Sequence, residues 1–282
     1  MQPERDTLAL NLGRSETLRC GPWLIGAFTH HGHGHAAEGL PNQDAYRVGR
    51  VGDIAYMVVA DGVSSAPLSQ LGAELAVTTA VKELVLKARM SVPLHARTLE
   101  SVFTYARMAL EAEARRQKKP LSDFATTLLI AVMTKTSLLV GKIGDGSVLA
   151  VEEQRAAQTL VPLVDSPHTG DGVVDLTHRS WRTHLKCRLI ADHATAGMNT
   201  LALATDGASG YFIVPSNTPT AAGERTALSP RYIGEELAKA LRERQPRDML
   251  GYFTALMFIK AQKDGYDDKT LTVATWIGEP SP

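Results

Sequence analysis

Asp-Gly pairs that end short apolar runs are the feature that most constrains the fold of this chain. The pairs are Asp61-Gly62, Asp145-Gly146 and Asp206-Gly207, and each follows a run rich in Val, Leu or Ala. Buried strands that end in carboxylates bring negative charge to one edge of a sheet. Such charges repel one another unless something positive lies between them, and divalent cations commonly fill this role. The pattern therefore predicts a metal site on a β core.

A hairpin-turn interpretation of the same pairs has to be weighed against the metal site. Asp-Gly is a strong signal of a type I′ turn, because both central positions of that turn need positive φ. Any one of the three pairs, taken alone, is better explained as a turn. A fourth acidic pair, Asp267-Asp268, precedes the apolar run from Leu271 to Ile277. The joint pattern favours the metal site.

The composition is typical of a globular domain and not of a nucleic-acid or membrane protein. Hydrophobic residues make up 44% of the 282 positions, which suffices for a large core. Thirty basic residues balance thirty acidic ones, whereas nucleic-acid binders normally carry a basic excess. No apolar run approaches the ~18 residues of a membrane span, the N-terminus lacks a signal peptide's apolar region, and Cys20 and Cys187 are far apart. We therefore expect a cytoplasmic protein with a lead-in over residues 1–20, extended or poorly ordered, and a single domain over residues 21–279.

The periodicity of the apolar residues predicts an α+β domain with sheet packed between helices. Two amphipathic helices are expected, one after Pro67 and one around Leu99 to Leu110, and two more over Tyr232 to Arg244 and Met249 to Gln262. Residues 162–172 and 215–230 have the composition of loops, and either could gate a cleft. Strands are predicted at Trp23 to Thr29, Ala55 to Ala60, Thr126 to Met133, Leu138 to Ile143, Val148 to Val151, Thr200 to Thr205 and Leu271 to Ile277.

The residue types at the predicted site indicate hard cations. Carboxylate ligands favour Mg²⁺ or Mn²⁺, and two such ions held close together can clamp a phosphoryl group and activate water. Asp61 is a candidate to bridge two ions, with the Gly62 carbonyl as a further ligand, because glycine lets the backbone approach closely. Asp206 and Asp267 are candidates to add one carboxylate each.

The order of short motifs along the chain resembles that of the protein phosphatase 2C family, and in particular a bacterial branch of it. The resemblance runs from about Trp23 to Ile277. Its members are metal-dependent serine/threonine phosphatases. The motifs are Asn42-Gln43-Asp44, Val59-Ala60-Asp61-Gly62-Val63, Ala125-Thr126-Thr127-Leu128, Ile143-Gly144-Asp145-Gly146, Leu203-Ala204-Thr205-Asp206-Gly207 and Asp267-Asp268-Lys269-Thr270.

The resemblance implies a four-layer αββα sandwich, in which two antiparallel sheets are flanked by helix pairs and a two-metal centre lies at one sheet edge. It implies that Asp61 bridges both ions, with the carbonyl of Gly62 as a ligand, and that Asp206 and Asp267 hold one ion. Asp44 would help to place the other ion, and Asp145 would bind a third, weaker one. A metal-activated water would then hydrolyse phosphoserine or phosphothreonine. The implied partners are a phosphorylated protein substrate and a cognate serine/threonine kinase, and a monomer is expected.

Three departures from the family pattern leave a second function open. Gly39 stands where members often have a phosphate-gripping arginine, Val63 stands where many have a histidine, and Asp267-Asp268 replaces an Asp-Asn pair, so either carboxylate could be the ligand. His35, in the tract His30 to His35, is a candidate to bind the phosphate and donate a proton. The alternative is a weak or inactive phosphatase-fold module that binds a phosphoprotein or kinase.

Overall fold

The strands form two antiparallel sheets. The structure is a computed structural model, and it describes residues 14–154, 157–164, 173–194, 196–209 and 266–278. The six-stranded sheet contains β1 Arg14–Cys20, β2 Trp23–His30, β7 Ser147–Gln154, β8 Ala157–Pro162, β10 Met198–Ala204 and β11 Lys269–Trp276. The five-stranded sheet contains β3 Asp44–Val51, β4 Ile54–Asp61, β5 Leu128–Met133, β6 Ser137–Ile143 and β9 Lys186–Ala191. Their spatial orders are β1-β2-β11-β10-β7-β8 and β3-β4-β5-β6-β9.

Two long helices cover the five-stranded sheet, and the shorter helices lie in connections. The long helices are α2 Ser69–Arg89 and α3 Ala96–Gln117, and the short ones are α1 His33–Ala37, α4 Trp181–His184, α5 Asp206–Ser209 and a 3-10 helix over Leu121–Phe124. None of the helices in the described part of the chain is long and apolar enough to cross a membrane. The fold is an α+β sandwich, as predicted. The expected helices over Tyr232 to Arg244 and Met249 to Gln262, which would complete the fourth layer, lie outside the described residues.

The five-stranded sheet is buried on both faces, which explains its continuous apolar runs. Successive side chains of a strand point to opposite faces. Val58 and Ala60 of β4 therefore pack against α2 and α3, whereas Met57 and Val59 pack between the two sheets. Small residues on α2, such as Ala73, allow this helix to lie close to the sheet. The sandwich thus holds the ends of β4 and β10 in fixed positions beside each other.

The structure also contains elements that the sequence did not predict. Strand β1 lies within residues 1–20, where an extended or poorly ordered lead-in was expected, and β3 was not expected as a strand. Strand β9, which pairs with β6, was not expected either. The histidine tract was expected to be a loop, but His33–Ala37 form helix α1.

Candidate metal centre

Four of the predicted carboxylates lie where strands of the two sheets end beside each other. Asp44 begins β3 and is the antiparallel partner of Asp61, which ends β4. Asp206 begins α5, two residues after the end of β10, and Asp267 lies two residues before β11, the strand that pairs with β10. The side chains of Asp61 and Asp206 are close enough to share a hydrogen bond, and the charges of Asp44 and Asp267 also interact with Asp61. The structure therefore brings these four side chains together.

Asp145 extends this group at the turn between β6 and β7. Its carboxylate interacts electrostatically with Asp206. The following residue, Gly146, lies so close to β10 that a Cβ there would be 2.7 Å from the carbonyl oxygen of Ala204. The turn therefore places Asp145 on the Asp206 side of the cluster.

The carboxylates raise one another's pKa values. Burial and then the charges of Asp44 and Asp206 raise the pKa of Asp61 well above its usual range. Burial and then the charge of Asp268 do the same for the pKa of Asp44. Burial and the charge of Asp206 raise the pKa of Asp267 to about 6. At neutral pH the cluster therefore repels itself, which is the situation that a bound cation relieves.

The donor set of this cluster fits hard divalent cations. Oδ1 of Asp44 is buried and has no hydrogen-bond partner among the described residues. An unpaired buried carboxylate oxygen is costly unless it binds something positive. Lys142 lowers the pKa of Asp145, but burial and the charge of Asp206 raise this pKa by more. Oxygen donors of this kind are those that Mg²⁺ and Mn²⁺ prefer.

Backbone and hydroxyl contacts fix the two carboxylates that come from the five-stranded sheet. The Thr205 hydroxyl donates to Asp44 Oδ2 at 3.0 Å and accepts the backbone N–H of Thr270 at 3.0 Å, so it joins the two sheets. The Asp61 backbone N–H donates to the Thr127 hydroxyl at 3.0 Å, and its carbonyl accepts the Thr126 hydroxyl at 3.0 Å. These threonines position the carboxylates without facing a substrate.

Gly62 lies in a space that admits no side chain. Its N–H donates to the carbonyl of Gln43 at 3.1 Å. A Cβ at this position would lie 2.8 Å from the backbone carbonyl of Ser69 and 2.9 Å from the Gln43 oxygen. Glycine therefore allows β4 to end directly against α2, beside the residue that precedes Asp44.

The structure distinguishes the two carboxylates of the Asp267-Asp268 pair. Asp268 is almost completely buried and accepts three hydrogen bonds, from the backbone N–H groups of Gly32 and Gln43, both at 2.7 Å, and from His35 Nδ1 at 2.9 Å. Asp267 is 35% exposed and interacts with Asp206. Asp268 therefore holds three segments together, and Asp267 is the member of the pair that faces the cluster.

His35 lies in a different environment from the one that the sequence indicated. Its side chain is 1% exposed and is held behind the carboxylates, with Nε2 3.8 Å from Asp267 Oδ1. Contact with a substrate phosphate, the predicted role, would require an open path to solvent that a buried ring does not have. His35 instead belongs to the hydrogen-bond network of Asp268.

A pocket of about 550 Å³ opens beside Val63, two residues after Asp61. Residues from the 3-10 helix and from the segment 175–179 form its other walls. Arg107 of α3 supports the latter wall by donating to the carbonyls of Leu176 at 2.6 Å and His178 at 3.0 Å. The pocket lining includes Val63, Ala66, Pro67, Asp123, Asp175 and Arg179.

Sequence reasoning missed Thr205, Asp268 and Arg107. The position of Thr205 directly before Asp206-Gly207 was visible, but its bond to Asp44 depends on how the sheets stack. The role of Asp268 was hidden because its neighbour Asp267 has the same side chain. No sequence signal distinguishes Arg107 from the other charged residues of α3.

The fold and the carboxylate cluster define an α+β sandwich with a candidate metal centre at one edge. A family model described as protein phosphatase 2C matches residues 31–252, and the chain therefore belongs to the protein phosphatase 2C family. None of the curated proteins matches the chain.

Solved structures of phosphatases share this fold at low sequence identity. A bacterial serine phosphatase is 14% identical with a TM-score of 0.59, over 91% of this chain and 99% of that one. Serine-threonine phosphatase 2C from Toxoplasma gondii is 15% identical with a TM-score of 0.59, over 94% and 98% of the two chains. The catalytic domain of the phosphatase PstP in complex with two manganese ions is 17% identical with a TM-score of 0.57, over 90% and 97%.

Proposed function

We propose that this protein is a metal-dependent phosphatase that hydrolyses phosphoserine and phosphothreonine in proteins. The observation that carries the proposal is the convergence of Asp44, Asp61, Asp206 and Asp267 at one edge of the sandwich. Family membership supports it, as does the similar fold of PstP, whose structure contains two manganese ions. A catalytic domain over residues 21–279 and a cognate serine/threonine kinase are part of the same proposal.

Each carboxylate would have a separate task toward two Mn²⁺ or Mg²⁺ ions. Asp61 would serve both ions, the Gly62 carbonyl would be a further ligand, Asp206 and Asp267 would hold one ion, and Asp44 would help to hold the other. Asp145 would hold a third, weaker ion. When bound, the ions supply the positive charge that binds the phosphate and activates a water molecule. The hydrogen bonds of Thr205 and Thr127 hold Asp44 and Asp61 in position before any ion binds.

The pocket beside Val63 would receive the residues that flank the phosphorylated side chain. It borders the cluster through Val63, which directly follows Gly62. Its lining combines apolar residues with Arg179 and Asp123, so it can contact both the backbone and charged side chains of a peptide.

Phosphate release from a phosphothreonine peptide in the presence of Mn²⁺ tests the proposal. Asp61→Asn is expected to lower kcat by about 100-fold or more. The change removes a carboxylate charge that would hold the ions, and bound ions stabilise the transition state by several kcal/mol. Asp53→Asn is the matched control, since this side chain is 87% exposed on a turn of the same sheet. Activity of Asp61→Asn close to that of the wild type would contradict the proposal.

The binding-module alternative makes a different prediction for the same samples. It is favoured by Gly39 and Val63, which supply neither an arginine nor a histidine to the phosphate. Titration calorimetry with Mn²⁺ and a phosphothreonine peptide separates the two functions. Binding of both without phosphate release supports the module, whereas release that requires Mn²⁺ supports the enzyme.

A further inference from the structure

His35 carries a nitrogen atom that the fold buries without a partner. The ring is 1% exposed, and its Nε2 has no hydrogen-bond partner among the described residues. The same atom lies 3.8 Å from Oδ1 of Asp267, beyond hydrogen-bond distance. Buried polar atoms are normally satisfied, so an unpaired nitrogen that faces a carboxylate requires an explanation.

The hydrogen bond at the other side of the ring determines which nitrogen is free to bind a ligand. Asp268 is a carboxylate that already accepts the N–H groups of Gly32 and Gln43, and it can only accept. His35 Nδ1, 2.9 Å from Asp268 Oδ2, therefore donates its hydrogen. In the neutral ring this leaves a lone pair on Nε2. A carboxylate that accepts from one histidine nitrogen, with the other nitrogen free, is the arrangement found behind metal-binding histidines.

Contacts between helix α1 and Tyr266 orient Nε2 of His35 toward Asp267. The backbone N–H groups of Gly34 and His35 donate to the Tyr266 carbonyl at 3.1 and 3.3 Å, which fixes helix α1 against the segment before Asp267. The Tyr266 ring packs edge-on against the imidazole at 5.7 Å. His35, Asp267 and Asp268 each place one possible ligand atom within 4.8 Å of the others. Because Asp268 is occupied by donors, Nε2 of His35 and the Asp267 carboxylate are the pair that can share a cation.

We propose that His35 Nε2 is a direct ligand of the ion that Asp206 and Asp267 hold. The inference rests on the metal centre proposed above and changes its character from all-oxygen to mixed nitrogen and oxygen. Imidazole favours first-row transition ions over Mg²⁺. The site of Asp206 and Asp267 therefore selects a transition ion, whereas the site of Asp44 accepts either kind.

Pulsed electron paramagnetic resonance of the Mn²⁺-loaded full chain tests this ligand directly. A coordinated imidazole modulates the spin echo through its nitrogen nucleus, and labelling histidine with ¹⁵N changes that modulation. We expect the wild type and His33→Asn to show histidine coupling and His35→Asn to lack it. The Asn amide can still donate to Asp268, and His33 is an exposed residue of the same helix. If His35→Asn fails to fold, a wild-type chain without histidine coupling still overturns the assignment.

Metal selectivity provides a second readout that is independent of catalysis. In calorimetric titrations, His35→Asn should reduce the preference for Mn²⁺ over Mg²⁺ by at least about tenfold, whereas His33→Asn should leave it unchanged. Mn²⁺ binding without any histidine coupling would overturn the inference and would indicate that His35 only positions Asp267 as an ion pair. Histidine coupling in a protein that releases no phosphate would refute the proposed function and leave this ligand assignment intact.

Discussion

Replacing Asp267 with Asn is expected to stabilise the metal-free protein and to weaken its binding of divalent cations. Asn retains the Oδ1 acceptor that receives the Asp268 N–H at 2.9 Å, so the change removes charge with little change in hydrogen bonding. Burial and the charge of Asp206 raise the Asp267 pKa from 3.8 to about 6. At about 1.4 kcal/mol per pKa unit, this rise corresponds to at most about 3 kcal/mol. Because the side chain is 35% exposed, solvent screening reduces the expected effect to about 1 kcal/mol.

The sign of this effect determines its pH dependence. A carboxyl group whose pKa is higher in the folded state binds more protons there, so the stability it contributes is present below about pH 4 and is lost as the pH rises through about 6. In metal-free buffer, the free energy of unfolding of the wild type should therefore fall across this window by about 1 kcal/mol more than that of Asp267→Asn. With excess Mn²⁺ the order should reverse, because an ion that binds only the folded state stabilises the protein that binds it more tightly.

Urea denaturation of both proteins, with and without Mn²⁺, measures these differences. Asp53→Asn removes an 87% exposed carboxylate on the turn between β3 and β4, and it should follow the wild type under every condition. The reasoning is refuted if metal-free Asp267→Asn is less stable than the wild type at neutral pH. Equal pH slopes for the two proteins would refute it as well, because the charge at Asp267 would then not be repelled by its neighbours.

Three further substitutions examine the glycine at the metal centre, the pocket wall and the missing arginine. Gly62→Ala places a Cβ 2.8 Å from the Ser69 carbonyl, and we expect a loss of about 1–3 kcal/mol in denaturation and weaker calorimetric binding of Mn²⁺; unchanged values would contradict the tight fit. Arg107→Ala frees two carbonyls of the pocket wall, so KM for a phosphothreonine peptide should rise several-fold while kcat for p-nitrophenyl phosphate is nearly unchanged; equal effects on both substrates would exclude a pocket-specific role. Gly39 has φ of +71° and open space around it, so Gly39→Arg should cost about 1–2 kcal/mol of stability and lower KM for phosphorylated substrates; an unchanged KM would show that this position does not face the phosphate.

Elements whose pattern is local were predictable from the sequence, and those that depend on a neighbour were not. The helix predicted after Pro67 is present as α2, but the face that it buries against the sheet carries Ala73, Ala76 and Val77, whereas Leu71 is exposed. Strand β3 contains Arg47 and Gly49, which interrupt the alternation of apolar and polar residues that would indicate a strand. It nevertheless pairs along its full length with β4. Strand β9 has mostly partly or fully exposed side chains and forms the edge of its sheet. Its strand character comes from pairing with β6, which a single-sequence pattern cannot report.

The candidate site shows the same limit at the level of single residues. The convergence of Asp61, Asp206 and Asp267 follows from strand ends and was predictable. The choice between Asp267 and Asp268 was not, because neighbouring side chains face opposite ways and their partners lie on another segment of the chain. Gly32 and Gln43 decide it, since their N–H groups occupy the Asp268 carboxylate. His35 was expected to bind the phosphate and donate a proton, whereas its ring is buried and lies against the Asp267 and Asp268 carboxylates.

The network that fixes the cluster also offsets part of the repulsion among its converging negative charges. The Thr205 hydroxyl bonds both to Asp44 and to the β11 backbone, and Asp268 accepts donors from the segments before and after α1. These bonds join the two sheets at the edge where the carboxylates repel one another, and the apolar interior between the sheets stabilises the rest. Because these bonds hold the backbone around the cluster, a bound ion would meet carboxylates already in position and would supply the partner that Asp44 Oδ1 lacks. Selectivity among ions must then come from the donor atoms themselves, and the one nitrogen among them, Nε2 of His35, lies on the side of Asp267.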